Sequence, residues 1–211
     1  MWRLGWVAAN DGNVTARISE DRYLATPTGI SKSFIRPEML IVIDGQGRVI
    51  KAAKGFRPSS EIKMHLRCYA DRPDVGGVVH AHPPAATGFA VAGIPMDRYT
   101  MVEAVISLGS VPICPFATPS TDEVPDSIAP FIKEHDAVLL ANHGALTLGA
   151  SVLQAYYFME SLELWAKISI NARILGGERE MSREHAERLI GMRAQFGLKG
   201  RHPGFKRYSE L

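Results

Sequence analysis

A chain of 211 residues with 46% hydrophobic and 22% charged residues has an ordinary globular composition and the length to bury a substantial core. Its formal net charge of +2, part of it in the tail at Lys199, Arg201, Lys206 and Arg207, excludes the strong basic stripe of a nucleic-acid binder. No apolar run approaches the roughly 20 residues that cross a bilayer, and Met1 to Asn13 has neither the basic start nor the apolar core of a signal peptide. The two cysteines, Cys68 and Cys114, form neither a disulfide framework nor a thiolate metal site, so a reducing, cytoplasmic setting is expected. The expectation is one domain over residues 1–211, with no nucleic-acid and no membrane partner.

Strand-like and helical stretches alternate along the chain, which places it in the α/β class. Ile18 to Thr26, Leu40 to Ile43 and Val49 to Ala52 read as strands, the last two joined by a hairpin turn at Asp44-Gly45-Gln46-Gly47 that makes part of the sheet antiparallel. Ser59 or Ser60 is expected to cap a helix running to about Asp71. Val78 to Ala81 is a β-branched strand leading into His82 and Pro83-Pro84, and Ala85 to Ala92 a short apolar helix stopped by Gly93. Ser120 and Glu123 have capping-box spacing ahead of another helix. Ala137 to Ala141 is a buried-looking strand that continues through Leu146 to Leu148 after a turn at His143-Gly144. The longest helix runs from Ser151 to Gly176-Gly177, and an amphipathic one from about Ser182 to Phe196.

The chemistry concentrates at His80-Ala81-His82. Side chains repeat every two residues on a strand, so both imidazoles project from one face and form a two-point chelate at a strand end. An H-x-H alone is also compatible with a hydrogen-bonded core pair. His143 follows an apolar strand and precedes Gly144, which puts a third imidazole at a strand terminus. Glu61 stands at a helix start, where free amides and the helix dipole suit a carboxylate or a phosphate. Three histidines and one carboxylate make a four-ligand set for zinc or a similar divalent ion. His65 lies four residues after Glu61 on the same helix face, in a supporting or core role, whereas His135, His185 and His202 read as surface residues. Asn10 to Asn13, Thr26 to Gly29 and Ser59-Ser60 offer hydroxyl and amide donors suited to a phosphate from three segments.

In order, the chain carries G-N-V-T at 12–15, T-P-T-G at 26–29, S-S-E at 59–61, H-A-H-P at 80–83 and N-H-G at 142–144. This set resembles the class II aldolase and adducin-head superfamily from about Leu4 to Gly176. The resemblance implies a central, largely antiparallel sheet with helices on both sides, and a homotetramer with sites between subunits. It implies His80, His82 and His143 as metal ligands, with Glu61 as fourth ligand and as acid/base once displaced. Asn13, Thr28, Gly29, Ser59 and Ser60 would hold a substrate phosphate. The implied reaction is reversible cleavage of a ketose 1-phosphate, of the L-fuculose 1-phosphate kind, to dihydroxyacetone phosphate and an aldehyde. A metal-stabilised enediolate is its intermediate. The cofactor would be one divalent ion per subunit, zinc foremost, with manganese, cobalt or iron as substitutes.

Family aldolases take a Tyr from the neighbouring subunit to handle the aldehyde oxygen. Met101 aligns there, and Tyr99, two residues away, is the expected stand-in, with Tyr208 and Glu103 as weaker choices. The family also carries a helix ahead of the first loop, whereas this chain starts almost at that loop. Rival readings are a ribulose-phosphate 4-epimerase, against which Glu61 in place of Asp argues, and a sugar-acid phosphate decarboxylase or methylthioribulose-phosphate dehydratase. A rival of another class is a non-catalytic adducin-head-like module, which has no use for the three histidines and Glu61.

Overall fold

The computed structural model describes residues 1–208. Its frame is one eight-stranded sheet: β1 (Asn13–Ser19), β2 (Arg22–Ala25), β3 (Ile41–Ile43), β4 (Val49–Lys51), β5 (Gly77–Ala81), β6 (Ile113–Cys114), β7 (Ala137–Leu140) and β8 (Gly144–Gly149). In space the order is β4-β3-β2-β1-β5-β8-β7-β6, and every neighbouring pair is antiparallel except β6 with β7. The helices are α1 (Ile62–Asp71), α2 (Pro84–Ala92), α3 (Val102–Ser107), α4 (Glu123–Ile132), α5 (Val152–Ile174) and α6 (Arg183–Gly191).

Alternation along the strands divides the core into two layers. Val79, Ala81, Leu139 and Ala145 face one side, where α2 and α5 bring Ala86, Phe89, Phe158, Met159, Leu162 and Trp165. Val78, Val138, Leu140 and Leu146 face the other, against Met64, Cys68 and Tyr69 of α1 and Val124, Ile128 and Ile132 of α4. The α/β sheet with helices on both faces is therefore as expected. Strand β5 lies inside the sheet, paired with β1 and β8, and all five of its residues are buried.

Several local expectations are corrected. Ile18 to Thr26 is not one strand: the chain reverses at Glu20-Asp21 so that Ser19 pairs with Arg22, because two polar residues at the apex prefer solvent to a ladder. Neither Ser59 nor Ser60 is the helix cap; Glu61 is, with its side chain turned away to the site. The Ser120–Glu123 box does not form either. Glu123 is the first residue of α4 and its carboxylate accepts from the Thr118 N–H, while the Ser120 hydroxyl bonds to Ser60. Ser151 does cap α5, accepting from the Gln154 N–H at 3.2 Å, and Ser182 caps α6 in the same way. His135 is buried and His202 half-buried, against their reading as surface residues; both ring systems bond to backbone carbonyls, of Phe131 and Val105.

Two buried polar groups tie elements together, one helix to helix and one helix to sheet. Pro83 and Pro84 carry no N–H, so the first free amides of α2 belong to Ala85 and Ala86. Both donate to the carboxylate of Glu163 on α5, at 3.0 and 2.9 Å, with Lys167 Nζ 3.2 Å from the other oxygen. The second group is His65 on α1, fully buried, with Nδ1 2.8 Å from Thr15 Oγ1 on β1. Burial, with the neighbouring His80, pushes its imidazole down to about 3 from the ordinary 6.5.

Glu163→Ala should lower the unfolding free energy in urea by about 3 kcal/mol, because it strands two buried amides, and Glu163→Gln by less, because its carbonyl still accepts. His65 is held neutral in the native state while the unfolded chain takes up a proton below pH 6.5. Its contribution is thus present above that pH and lost as pH falls toward about 3. Between pH 7.5 and 5 this one residue should remove about 2 kcal/mol of stability, a slope that His65→Gln should abolish. Equal slopes in the two proteins would refute the assignment.

Candidate metal centre

The register of the central strands builds the site. Asn13 at the start of β1 lies opposite His80 on β5, and His80 lies opposite Leu146 on β8. Two residues before His80 on the same strand, Val78 packs into the α1/α4 core layer, so the same alternation turns the His80 side chain toward α1. His82 sits just past the end of β5, where its N–H donates to Trp6 O at 2.9 Å.

His143 comes from the turn between β7 and β8. Asn142 adopts a left-handed conformation, φ 56°, which Asn tolerates better than most residues, and this reverses the chain within one step. Gly144 is demanded by packing: a Cβ there would lie 2.6 Å from Ala81 O and 2.6 Å from His82 Cδ2. The N-H-G triplet thus presses the third imidazole against the other two. Ring centroids are 5.0 Å apart for His80–His82, 4.7 Å for His80–His143 and 5.1 Å for His82–His143.

One nitrogen from each of the three rings lies within 4.8 Å of the others. His80 Nε2 and His82 Nε2 are 3.2 Å apart, and the Glu61 oxygens stand 3.6 Å from His80 Nε2 and 3.3 Å from His143 Nε2. Ligands about 2.1 Å from a tetrahedral zinc are separated by about 3.4 Å, and the 3.2 Å between His80 Nε2 and His82 Nε2 is of that size. The protonation chemistry fits as well. His80 Nδ1–H donates to Ala145 O at 2.9 Å, which fixes the tautomer and leaves the Nε2 lone pair facing the cluster. Burial first, then the neighbouring His143 and His82, hold His80 well below its ordinary range, and burial lowers His143 too. Neutral imidazoles are what a cation needs.

Glu61 is oriented by its neighbours. Asn13 Nδ2 donates to Glu61 Oε2 at 2.8 Å and approaches Ser59 Oγ at 3.4 Å, and Ser59 Oγ accepts from the Glu61 N–H at 3.2 Å. Pro27 bridges to Pro58, the Thr28 N–H donates to Arg57 O at 3.0 Å, and Gly29 has φ 73°. Asn13 and Ser59 thus stand directly on Glu61, Thr28 is tied to the segment ahead of Ser59 through Arg57, and the Ser60 hydroxyl is engaged by Ser120 at 2.7 Å.

Tyr99 is the correction. It is 1% exposed, its ring stacks on Phe205 at 4.3 Å, and its hydroxyl lies 3.0 and 2.9 Å from the Gly204 and Lys206 carbonyls while accepting from the Lys206 N–H. A phenol so engaged anchors the tail and has no proton free for an aldehyde oxygen. Tyr208 bonds to buried His135 and is spent in the same way. Sequence reading missed two polar partners. Asp11 Oδ2 lies 3.6 Å from His82 Nδ1, on the side away from the cluster, where a carboxylate steadies the ring. Lys32 Nζ donates to Asn10 O at 3.0 Å and to Ile30 O at 3.3 Å, tying the first two loops together. The available signal was their place, Asp11 inside the first loop and Lys32 just past Gly29.

Comparisons with known proteins show the family. The model of the class II aldolase and adducin N-terminal domain family matches residues 1–170. The chain is 30% identical over 200 residues to L-fuculose phosphate aldolase of Haemophilus influenzae, covering 94% of this chain and 91% of that one. It is 32% identical over 174 residues to methylthioribulose-1-phosphate dehydratase of Methylococcus capsulatus, covering 75% and 82%. A solved L-fuculose 1-phosphate aldolase matches with a TM-score of 0.83 at 28% identity, covering 93% of this chain and 90% of that one. The chain belongs to the class II aldolase and adducin N-terminal domain family, and is an enzyme of its lyase branch.

Proposed function

We propose that this enzyme reversibly cleaves a ketose 1-phosphate of the L-fuculose 1-phosphate kind to dihydroxyacetone phosphate and an aldehyde. The observation that carries the reading is the Glu61 carboxylate, held by Asn13 at the edge of three clustered imidazoles. The names of the Haemophilus relative and of the solved aldolase support the substrate class.

His80, His82 and His143 hold one divalent ion, with Glu61 as a fourth ligand, and three nitrogens with one oxygen favour zinc. That ion supplies Lewis-acid polarisation of the substrate's carbonyl and hydroxyl oxygens. Asn13, Thr28, Gly29, Ser59 and Ser60 bind and orient the phosphate through amides and hydroxyls. In the condensation direction Glu61 takes a proton from C3 of dihydroxyacetone phosphate. The freed electron pair forms the C3–C4 bond to the aldehyde carbon as its C=O π bond breaks, and the resulting oxyanion takes a proton from water, which the proton held on Glu61 then replaces. Cleavage reverses this, with protonated Glu61 returning the proton to C3.

Dehydration of a methylthioribulose 1-phosphate is the second reading, favoured by the Methylococcus relative. It draws on the same metal and carboxylate but breaks a carbon–oxygen bond.

The active enzyme is a homotetramer. Support comes from α5, which exposes Leu153, Tyr157, Leu164, Ile168 and Ile174, more large apolar side chains than a helix facing only water usually carries.

Metal-loaded enzyme should release dihydroxyacetone phosphate from L-fuculose 1-phosphate or 5-deoxyribulose 1-phosphate in a coupled assay. EDTA should abolish the release, and Glu61→Gln should lower kcat about 100-fold or more. Loss of water from methylthioribulose 1-phosphate with no aldol cleavage would transfer the assignment to the dehydratase. Sedimentation should give four times the 23.1 kDa chain mass, and a monomer at assay concentration would rule out the tetramer.

A further inference from the structure

Glu61, His65 and Tyr69 are spaced four residues apart, so they stand above one another on one face of the α1 turn and its entry. Asn13 and Thr15 are two apart on β1 and share its inner face. Four helical residues rise about 6 Å and two strand residues about 6.7 Å, so the two elements interleave rung by rung. Asn13 touches both Glu61 and His65, and Thr15 touches both His65 and Tyr69. The contacts are Glu61 Oε2 to Asn13 Nδ2 at 2.8 Å, Asn13 Oδ1 to His65 Nε2 at 2.5 Å, His65 Nδ1 to Thr15 Oγ1 at 2.8 Å and Thr15 Oγ1 to Tyr69 OH at 2.8 Å.

Only one direction of this chain satisfies every member. With the proton on His65 Nε2, that N–H donates to Asn13 Oδ1, Thr15 donates to His65 Nδ1 and Tyr69 donates to Thr15. The Asn13 amide then turns both its protons to the site, one to Glu61 and one toward Ser59 Oγ. The reverse tautomer would require the Asn13 amide to flip, setting its carbonyl oxygen against the Glu61 carboxylate. That would leave the buried Asn13 oxygen facing a carboxylate with no proton between them, which is costly.

We infer that His65 is a positioning residue, which locks the Asn13 amide with its N–H toward Glu61 and so aims the carboxylate that transfers the proton. The inference rests on the assignment of Glu61 as acid/base. Asn13 is the one residue of the proposed site to which His65 hydrogen-bonds among the described residues, so its effect passes through that amide. Its burial keeps the ring neutral at working pH, which preserves one N–H donor and one acceptor. A Gln at this position carries an amide N–H to about the place of Nε2, whereas an Asn reaches only to that of Nδ1.

The test combines three variants with a spectrum that needs no turnover. In the metal-free wild type, 15N NMR of the imidazoles should find the His65 proton on Nε2; a proton on Nδ1 overturns the inference. Among metal-loaded enzymes, H65N and H65L should lose about 10- to 100-fold in kcat, with a smaller rise in KM for the ketose 1-phosphate because Asn13 also belongs to the phosphate set. H65Q should restore most of that loss. Equal kcat losses in H65Q and H65N that follow their thermal stabilities would reduce His65 to a packing residue and overturn the inference. Should the wild type cleave no ketose 1-phosphate, the aldolase reading falls. The tautomer would then still decide whether the relay exists, and insoluble variants would leave that measurement untouched.

Discussion

The site depends on the register in which β1 pairs with β5. That pairing sets Asn13 beside His80, and through Asn13 it sets Glu61 beside the imidazoles. A slip of one residue would turn Asn13 and Thr15 to the α2/α5 side, away from His65. The register is held from both faces, since Val78 and Val79 on β5 each enter a different core layer and neither can be exchanged for the other. The frame that supports the chemistry is therefore specified by hydrophobic burial on both sides of one central strand.

Around that strand the molecule uses close approach in place of extra ligands. Gly144 lets the β7–β8 turn rest on Ala81 and His82, and Gly12 does the same at the first loop, where a Cβ would lie 3.0 Å from His80 O. These contacts press the imidazoles against one another and so gather groups that repel when protonated. Burial resolves this by keeping His80 and His143 neutral. The same low dielectric makes each polar partner matter, which is why Glu163 reaches across from α5 to the two amides behind His82.

The tail follows a different logic. Tyr99 stacks on Phe205 and bonds to the backbone at Gly204 and Lys206, fastening the last described residues to the α3 and α6 side of the body. An aromatic near the expected sequence position was thus recruited for anchoring. Position along the chain did not distinguish a phenol facing a site from one closing a seam.

Periodicity and local chemistry determined a good deal. Ser151 and Ser182 announced their helices, Pro83-Pro84 the end of a strand, and the H-x-H pattern a pair of imidazoles on one side. These depend on neighbours within a turn or a few residues, so one sequence suffices to read them. Whether His143 and Glu61 meet that pair, which partner orients each ring, and where Tyr99 points were decided by strand register and helix packing across separations of tens of residues. Asp11, Lys32 and Glu163 look like ordinary surface charges in the chain. Their roles come from distances that only the fold sets, because a carboxylate or ammonium acquires its meaning from the partner that burial forces upon it.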